Sequence, residues 1–354
     1  MSAAQTASRD NNFDALRLIA AIAVIFSHSF LIAEGSDARE PLIILTGRQC
    51  ILGLTGVFVF FAISGFLVTQ SWEQTRAPAA FLAKRALRIF PGLLAALLLS
   101  AFVLAPYVTT LPLGEYFRRP EPYRYVADNM VFSLKVHELP GVLFVDNPVG
   151  LEINGSLWTL GPEFMMYLMV LALGWLRLLN LWVCLALLLL GMACVHFPAL
   201  DFLGGWGWML SFFAIGMALY KLRDTRIFDG RVALAALALL AVSIPLRQFI
   251  LLFPLTGCYL ALYLALHPRL PRLRAARFGD LSYGLYIYGW PSEQLVVYLQ
   301  GGHAAWWWVF FPGLILAALL AFLSWHLIEK QALRLKPRTR RAAPRAAMPA
   351  LDRP

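Results

Sequence analysis

The sequence is poor in charged residues: only 14% of its 354 residues are Asp, Glu, Lys or Arg, whereas 60% are hydrophobic. Soluble domains of average composition are roughly 25% charged and about 45–50% apolar. A chain with so few charges lacks the polar surface that a soluble domain needs, and it is too apolar to remain unfolded in water. The composition therefore argues against a soluble protein and against an intrinsically disordered one.

Cysteine is also scarce, with four residues in the chain. Their spacing fits no metal or redox motif, and three of them lie in apolar stretches, where a small buried thiol is expected. We therefore predict no disulfide scaffold, no metal site and no permanently bound cofactor. We also expect no cleavable signal peptide, because residues 1–12 are polar and lack the apolar core of such a signal.

Long apolar runs, in contrast, are abundant. A helix that crosses about 30 Å of hydrocarbon needs about 20 mostly apolar residues. The sequence predicts an all-α, polytopic membrane bundle of about ten transmembrane helices. The predicted spans are 15–33, 51–72, 89–106, 156–176, 181–196, 203–220, 231–247, 249–266, 281–299 and 306–328.

The distribution of Lys and Arg predicts the orientation. If the N-terminus is cytoplasmic, 22 of the 30 basic residues fall in inside segments, seven fall in outside segments, and Arg17 lies within the first span. The positive-inside rule then predicts that both termini are cytoplasmic, in the cell inner membrane. Anionic lipid accounts for the net charge of +10, so the charge does not indicate nucleic acid as a partner.

The predicted transmembrane domain comprises residues 10–335 and includes one long loop, and a tail follows the domain. Residues 107–155 form a long outer loop, and loops of this length are usually functional or carry short structure of their own. Residues 336–354 consist largely of Arg, Pro and Ala without periodicity. We interpret them as a disordered basic cytoplasmic tail.

The first predicted span carries ionisable residues, which are costly in a membrane and therefore candidates for function. Asp14 and Arg17 lie near its cytoplasmic end, and His28 follows eleven positions after Arg17. Eleven helical positions rise about 16 Å and end about 20° from a whole number of turns, so Arg17 and His28 share one face. A neutral imidazole in an apolar site is suited to act as a general base. The alternative is a core histidine that is satisfied by one hydrogen bond.

A pair of arginines stands at the inner start of the third predicted span. Arg85 and Arg88 are i, i+3 neighbours on one helix face, where two guanidinium groups are suited to clamp phosphates. The alternative is that they signal topology and contact lipid headgroups.

Glu163 is predicted to lie about 10 Å below the outer surface, because its span begins near Ser156. His28 lies about five residues, or ~8 Å, below the outer end of its own span. The two depths match, so the two side chains are candidates for a pair in which the carboxylate orients the imidazole. Pro162 is predicted to bend or start the helix here. The alternative is that Glu163 pairs structurally with an arginine elsewhere in the bundle.

Two aromatic runs complete the candidate residues. Ser64 and Gly65 lie among bulky aromatics in the second span, where small residues favour a close packing contact or, alternatively, the lining of a narrow tunnel. The ninth span is rich in tyrosine, including Tyr283 and Tyr286, and tyrosine rings are suited to line a polar cavity.

Taken in order, these motifs resemble the membrane-bound acyltransferase-3 family over about residues 10–335. The matching runs are Asn12-Phe13-Asp14 to Arg17 with His28, Phe60-Phe61-Ala62-Ile63-Ser64-Gly65-Phe66-Leu67, Arg85-x-x-Arg88, Asn154-Gly155-Ser156-Leu157-Trp158-Thr159-Leu160-x-x-Glu163 and Ser282-Tyr283-x-x-Tyr286. The chain departs from the family at Gly289-Trp290-Pro291, where many members carry His-x-Pro. No hydrolase-like domain is expected after the last span, so the resemblance implies the stand-alone form.

The resemblance implies an O-acyltransferase that moves an acyl group, commonly acetyl from acetyl-CoA, to a hydroxyl of a glycan or glycolipid. It implies that His28 is the catalytic base, that Arg17, Arg85 and Arg88 handle the donor, and that Glu163 is the family's acidic residue. Further matching positions are interpreted as tunnel or supporting residues: Asp14, Ser64, Trp158, Tyr283 and Tyr286.

The residues and the resemblance together suggest a mechanism. The arginines would hold acyl-CoA at the cytoplasmic mouth, and the acceptor would enter from outside under the 107–155 loop. A direct displacement and a ping-pong route, with Ser64 as one acyl carrier, both stay open. The main alternative function is a transporter or flippase for a glycolipid or small anion, although the chain shows no clear internal repeat of the kind such proteins often carry.

Overall fold

The computed structural model describes residues 11–132, 139–141, 144–150, 152–200, 205–267, 270, 271, 273 and 275–337. The fold is all-helical, with 74% helix and no β-strand among these residues. The predicted all-α class is therefore confirmed. The tail beyond residue 337, and the parts of the predicted outer loop at 133–138, 142, 143 and 151, lie outside the described residues.

Each predicted span corresponds to a helix in the described part of the chain. The main helices are α1 Phe13–Glu34, α2 Leu52–Thr75, α3 Pro78–Val108, α4 Leu157–Trp175, α5 Leu181–His196, α6 Leu210–Lys221, α7 Gly230–Ser243, α8 Phe249–Leu266, α9 Ser282–Leu299 and α10 Trp306–Arg334.

Six of these helices are long and apolar enough to cross a membrane, namely α1, α2, α3, α4, α8 and α10. Helices α5 and α7 are apolar but shorter. The described chain is thus a multi-pass membrane protein. The count of about ten spans and the cytoplasmic placement of both termini stay predictions.

The third helix begins earlier than the sequence predicted. It starts at Pro78, and proline is favoured in a first helical turn because the backbone N–H that it lacks has no partner there. Arg85 and Arg88 therefore lie within the helix. The helix continues through Pro91 and a π-helical segment, Ser100–Leu104, before it ends at Val108.

Helix α2 lies at the centre of the bundle because its glycines allow close backbone approach. A β-carbon on Gly65 would clash with the Phe213 carbonyl oxygen of α6, and one on Gly216 would clash with the Ala62 carbonyl oxygen of α2. The predicted close contact is therefore made by Gly65. On the α1 side, a β-carbon on Gly53 would lie 2.8 Å from the β-carbon of Ser27. Small residues at helix contacts are typical of membrane bundles.

The predicted outer loop carries short structure of its own, including the helices Leu113–Tyr116 and Glu121–Met130. Its last part is tied to α9. The Asn147 amide donates to the Gln294 side-chain oxygen over 2.8 Å, and the Asn154 amide donates to the Ile287 carbonyl oxygen over 2.8 Å. The chain that leads into α4 therefore dips into the bundle before the helix begins.

Candidate active site

Two cavities lie within the bundle. The arginine cavity, of about 500 Å³, is lined by Arg17, Arg85 and Arg88 among others. The histidine cavity, of about 520 Å³, is lined by His28 and several aromatic residues. Both volumes are typical of small-molecule sites.

Three residues line both cavities and separate them. Val57, Leu160 and Tyr286 are each buried, and they form a partition between the arginine cavity and the histidine cavity. The Tyr286 hydroxyl shares a hydrogen bond of 2.7 Å with the Thr159 hydroxyl, which holds the tyrosine ring in place. The two cavities therefore lie one side chain apart.

His28 stands on α1 in the wall of the histidine cavity. Its Nδ1 atom is buried and has no hydrogen-bond partner among the described residues, which leaves Nε2 as the nitrogen on the cavity side. The Trp290 ring meets the imidazole edge to face, with centroids 4.9 Å apart. Trp290 is held in turn by a 3.0 Å hydrogen bond from its indole nitrogen to the Glu152 carbonyl oxygen.

One face of α9 connects the two cavities. Tyr283, Tyr286 and Trp290 follow one another at helical spacing and so lie along the same side of the helix. The Arg88 guanidinium lies 5.5 Å from the Tyr283 ring, Tyr286 belongs to the partition, and Trp290 contacts His28. Sequence reasoning missed Trp290, although its spacing from Tyr286 could have indicated it.

Arg88 forms ion pairs with carboxylates of the protein. Its guanidinium lies 2.7 Å from an Asp280 oxygen and 3.5 Å from a Glu329 oxygen. Burial alone would raise the pKa of Asp280, but Arg88 and then Arg17 outweigh it and hold that pKa below its ordinary value. Arg88 therefore ties α3 to the start of α9 and to α10.

Arg17 and Arg85 differ from Arg88, because neither forms an ion pair with a carboxylate in the residues that the structure describes. The Arg85 Nε atom is buried without a hydrogen-bond partner there. Lys336 adds a third cation to the wall of this cavity. Sequence reasoning had assigned Lys336 to a disordered tail and so missed it.

The surroundings of Lys336 make its ammonium group easier to deprotonate. Partial burial, followed by the positive charges of Arg85, Arg88 and Lys84, lowers the pKa of Lys336 to about 8. An anion bound in the arginine cavity would offset this repulsion. The cavity is thus suited to a polyanionic ligand.

Glu163 lies in the arginine cavity and not beside His28. Its Oε1 atom accepts hydrogen bonds from the Ser64 hydroxyl over 2.6 Å and from the Tyr167 hydroxyl over 2.5 Å. The predicted contact between Glu163 and His28 is therefore not formed. Ser64 lies eleven positions, or about 16 Å, after Gly53 along α2. Gly53 packs against Ser27, the residue before His28. Ser64 and its partner Glu163 therefore lie about 16 Å from the level of His28.

The depth predicted for Glu163 was wrong because the chain leading into α4 already lies inside the bundle. Asn154 bonds to the Ile287 carbonyl oxygen, which comes before Trp290 on α9. Counting from Ser156 as a surface residue therefore placed Glu163 too close to the outer side. Pro162 stands in the first turn of the α-helical part of α4, as its restricted backbone predicted.

The remaining predicted residues divide between the cavities. Ser64 and Tyr283 line the arginine cavity, and Trp158 lines the histidine cavity, where it stacks on Trp206. Asp14 is exposed in the first turn of α1, a position where a carboxylate stabilises the helix N-terminus. The structure does not bring Asp14 into the lining of either cavity.

Three comparisons relate the chain to known proteins. The model of the acyltransferase-3 family, described as an acyltransferase domain, matches residues 10–326. The O-acetyl transferase of Shigella phage Sf6 is 28% identical over 348 residues, 92% of this chain and 96% of that protein. Nodulation protein 10 of Rhizobium leguminosarum bv. viciae is 30% identical over 359 residues, 92% of this chain and 94% of that protein. No solved structure matches the chain significantly.

The chain therefore belongs to the acyltransferase-3 family. It is a multi-pass membrane O-acyltransferase, which takes an acyl group from a donor and passes it to an acceptor. The resemblance in the motifs is confirmed at the level of the family.

Proposed function

We propose that this O-acyltransferase moves an acyl group, most readily acetyl, from cytoplasmic acyl-CoA to a hydroxyl of a glycan or glycolipid on the outer side of the inner membrane. The carrying observation is the arrangement of the two cavities. A cationic cavity and a cavity with an accessible imidazole lie on either side of a partition of three side chains.

The charge of the arginine cavity supports an acyl-CoA donor. CoA carries several phosphate charges, and guanidinium groups bind phosphate with bidentate, charge-assisted hydrogen bonds. Arg17 and Arg85, which have no carboxylate partner among the described residues, are available for this role, and Lys336 adds a point charge. Arg88 would act indirectly, since its ion pairs hold the cavity wall.

The length of the path supports the delivery of a thioester to His28. Arg17 and His28 are about 16 Å apart along α1, which is comparable to the reach of an extended pantetheine arm. The acyl end would pass between Val57, Leu160 and Tyr286 to enter the histidine cavity. These three side chains line both cavities, so the donor would pass against them as it binds.

His28 would act as general base for the acceptor. Its Nε2 atom would take the proton of the acceptor hydroxyl while the oxygen attacks the thioester carbonyl carbon. The carbon–sulfur bond then breaks, the acyl ester forms, and CoA leaves as the thiolate, which takes the proton from the His28 imidazolium and so restores the neutral base. The edge of Trp290 would hold the imidazole orientation during this step.

Glu163 has a different role in this proposal from the one expected. As an acceptor of hydrogen bonds from Ser64 and Tyr167, it would position the cavity wall and balance the charges of Arg17 and Arg85. Ser64, engaged with Glu163 and about 16 Å from the level of His28, is poorly placed as an acyl carrier. These contacts favour the direct displacement over the ping-pong route.

Purified protein supplied with labelled acetyl-CoA and bacterial membrane glycolipids tests the proposal. We expect release of free CoA, labelled acceptor, and a loss of roughly 100- to 10,000-fold in turnover for His28→Ala. The exposed His303 provides a matched control, and His303→Ala should keep wild-type turnover. Near wild-type turnover by His28→Ala would refute the base assignment. Movement of a glycolipid without CoA release would instead support the transporter alternative.

A further inference from the structure

The histidine cavity has an aromatic platform that the proposed chemistry does not use. Trp158 and Trp206 stack on each other with centroids 4.7 Å apart and an interplanar angle of 25°, and both line the cavity. Trp158 is 36% exposed, so part of its ring surface is not covered by the protein. One face of this pair is therefore available to a flat, partly apolar ligand.

Polar groups without protein partners stand in the same wall. The Glu152 carboxylate lines the cavity and makes no hydrogen bond among the described residues, although its backbone oxygen holds Trp290. Asn129 donates its amide to the Tyr125 carbonyl oxygen over 2.8 Å, which leaves its side-chain oxygen free to accept. A β-carbon on Gly155 would lie 2.8 Å from both the Glu152 carboxylate and the Trp290 ring. Glycine at this position thus lets the carboxylate approach the tryptophan that contacts His28.

The charge of this cavity is opposite to that of the arginine cavity. Among the described lining residues, Glu152 is the one acidic side chain, and neither lysine nor arginine is present. An anionic ligand would be repelled by the Glu152 carboxylate, and no lysine or arginine among the described lining residues would compensate for this repulsion. A neutral ligand rich in hydroxyl groups would meet acceptors for its hydrogen bonds.

We propose that the histidine cavity binds a neutral sugar ring of the acceptor and that Glu152 excludes acidic sugars. The C–H face of the ring packs on the Trp158–Trp206 pair, and hydroxyls of the ring donate to Glu152 and Asn129. One ring hydroxyl then lies within reach of His28. This inference deepens the proposed function and rests on it, since it specifies which class of glycan is acylated.

The test compares two matched acceptors, methyl β-glucoside and methyl β-glucuronide, with labelled acetyl-CoA as donor and full-length protein in proteoliposomes. We expect the glucoside to be acetylated with a kcat/KM at least roughly tenfold above that of the glucuronide. Glu152→Gln, which keeps shape and removes charge, should bring this ratio near one. Trp206→Phe should raise the KM for the glucoside and leave the KM for acetyl-CoA unchanged. Trp182, which is 78% exposed and lines neither cavity, supplies the control Trp182→Phe, which should match the wild type.

The outcomes separate this inference from the proposed function. Equal use of both acceptors by the wild type, or an unchanged ratio in Glu152→Gln, overturns the charge selection. Acetylation of neither glycoside, while His28-dependent CoA release with membrane glycolipids persists, overturns the sugar site and leaves the proposed function standing. If acetyl-CoA is not consumed with any acceptor, the proposed function fails and the inference fails with it.

Discussion

The arginine cavity and the histidine cavity are alike in volume and opposite in chemistry. The first holds Arg17, Arg85 and Lys336, none of which forms an ion pair among the described residues, whereas the second holds tryptophans, two asparagine amides and one carboxylate. In a membrane, an unpaired charge persists only where a ligand or water compensates it. The contrast indicates a polyanionic ligand on one side and an uncharged, hydroxyl-bearing ligand on the other.

The three arginines of the arginine cavity also differ in their ion pairs with carboxylates. Arg88 forms ion pairs with Asp280 and Glu329, while Arg85 forms none with the residues that the structure describes. The two arginines of the Arg85-x-x-Arg88 motif therefore differ in their contacts. Arg88 holds helices together, and Arg85 is the one of the two that our proposal assigns to donor binding.

The largest effect is expected from Arg88→Ala. Removing one partner of a buried ion pair typically costs about 3–5 kcal/mol, because the carboxylates are left without compensation. We expect a large loss of thermal stability in detergent for Arg88→Ala and little change for Arg85→Ala. Measurement of unfolding temperature for both variants checks this, and similar stability of the two would contradict the division of roles.

The second effect concerns donor binding by Arg85. Loss of hydrogen bonds to a charged group costs about 1.5–3 kcal/mol, so Arg85→Ala should raise the KM for acetyl-CoA roughly 10- to 150-fold. The KM for the acceptor should not change, because Arg85 does not line the histidine cavity. A donor KM equal to that of the wild type would remove Arg85 from the donor site.

A third effect is expected at the partition. Leu160→Ala widens the passage between the cavities and should improve the use of propionyl-CoA relative to acetyl-CoA by up to roughly tenfold. Leu67 lines the arginine cavity alone, so Leu67→Ala is the matched control. If both variants use propionyl-CoA and acetyl-CoA in the same ratio as the wild type, the acyl group does not pass between Val57, Leu160 and Tyr286.

The smallest effect is a dependence on pH. Because the pKa of Lys336 is about 8, its side chain carries a full charge below that pH and loses it above. Donor binding should therefore weaken by up to roughly fivefold between pH 7 and pH 9, as the KM for acetyl-CoA would report. Lys336→Arg stays charged and should flatten this profile, whereas Lys330→Arg, at an exposed position, should leave it unchanged.

The sequence predicted the helices well because apolar runs and proline positions are local signals. Helices α5 and α8 begin and end at the predicted residues. Helix α3 was predicted too short, since the basic residues before position 89 were interpreted as the end of the hydrophobic span. The structure shows that Lys84, Arg85 and Arg88 are helical and that Arg85 and Arg88 line the arginine cavity.

The sequence could not predict which polar side chains meet. Arg88 contacts Asp280, which is 192 positions away, and no local pattern joins them. The predicted pairing of Glu163 with His28 depended on depth alone, and depth along the membrane normal does not fix lateral position or the level at which a loop enters the bundle. Trp206 was missed because it lies near the start of an apolar predicted span, and Lys336 was missed because it was assigned to the predicted tail.

The central claim is that donor and acceptor reach His28 from opposite sides. Proteoliposomes with one defined orientation test it most directly, with labelled acetyl-CoA on the side of the arginine cavity and membrane-impermeant acceptor on the other side. We predict that labelled ester forms on the acceptor across the bilayer, and that exchanging the two substrates between the sides abolishes it. Ester formation only when both substrates share one side would contradict the claim.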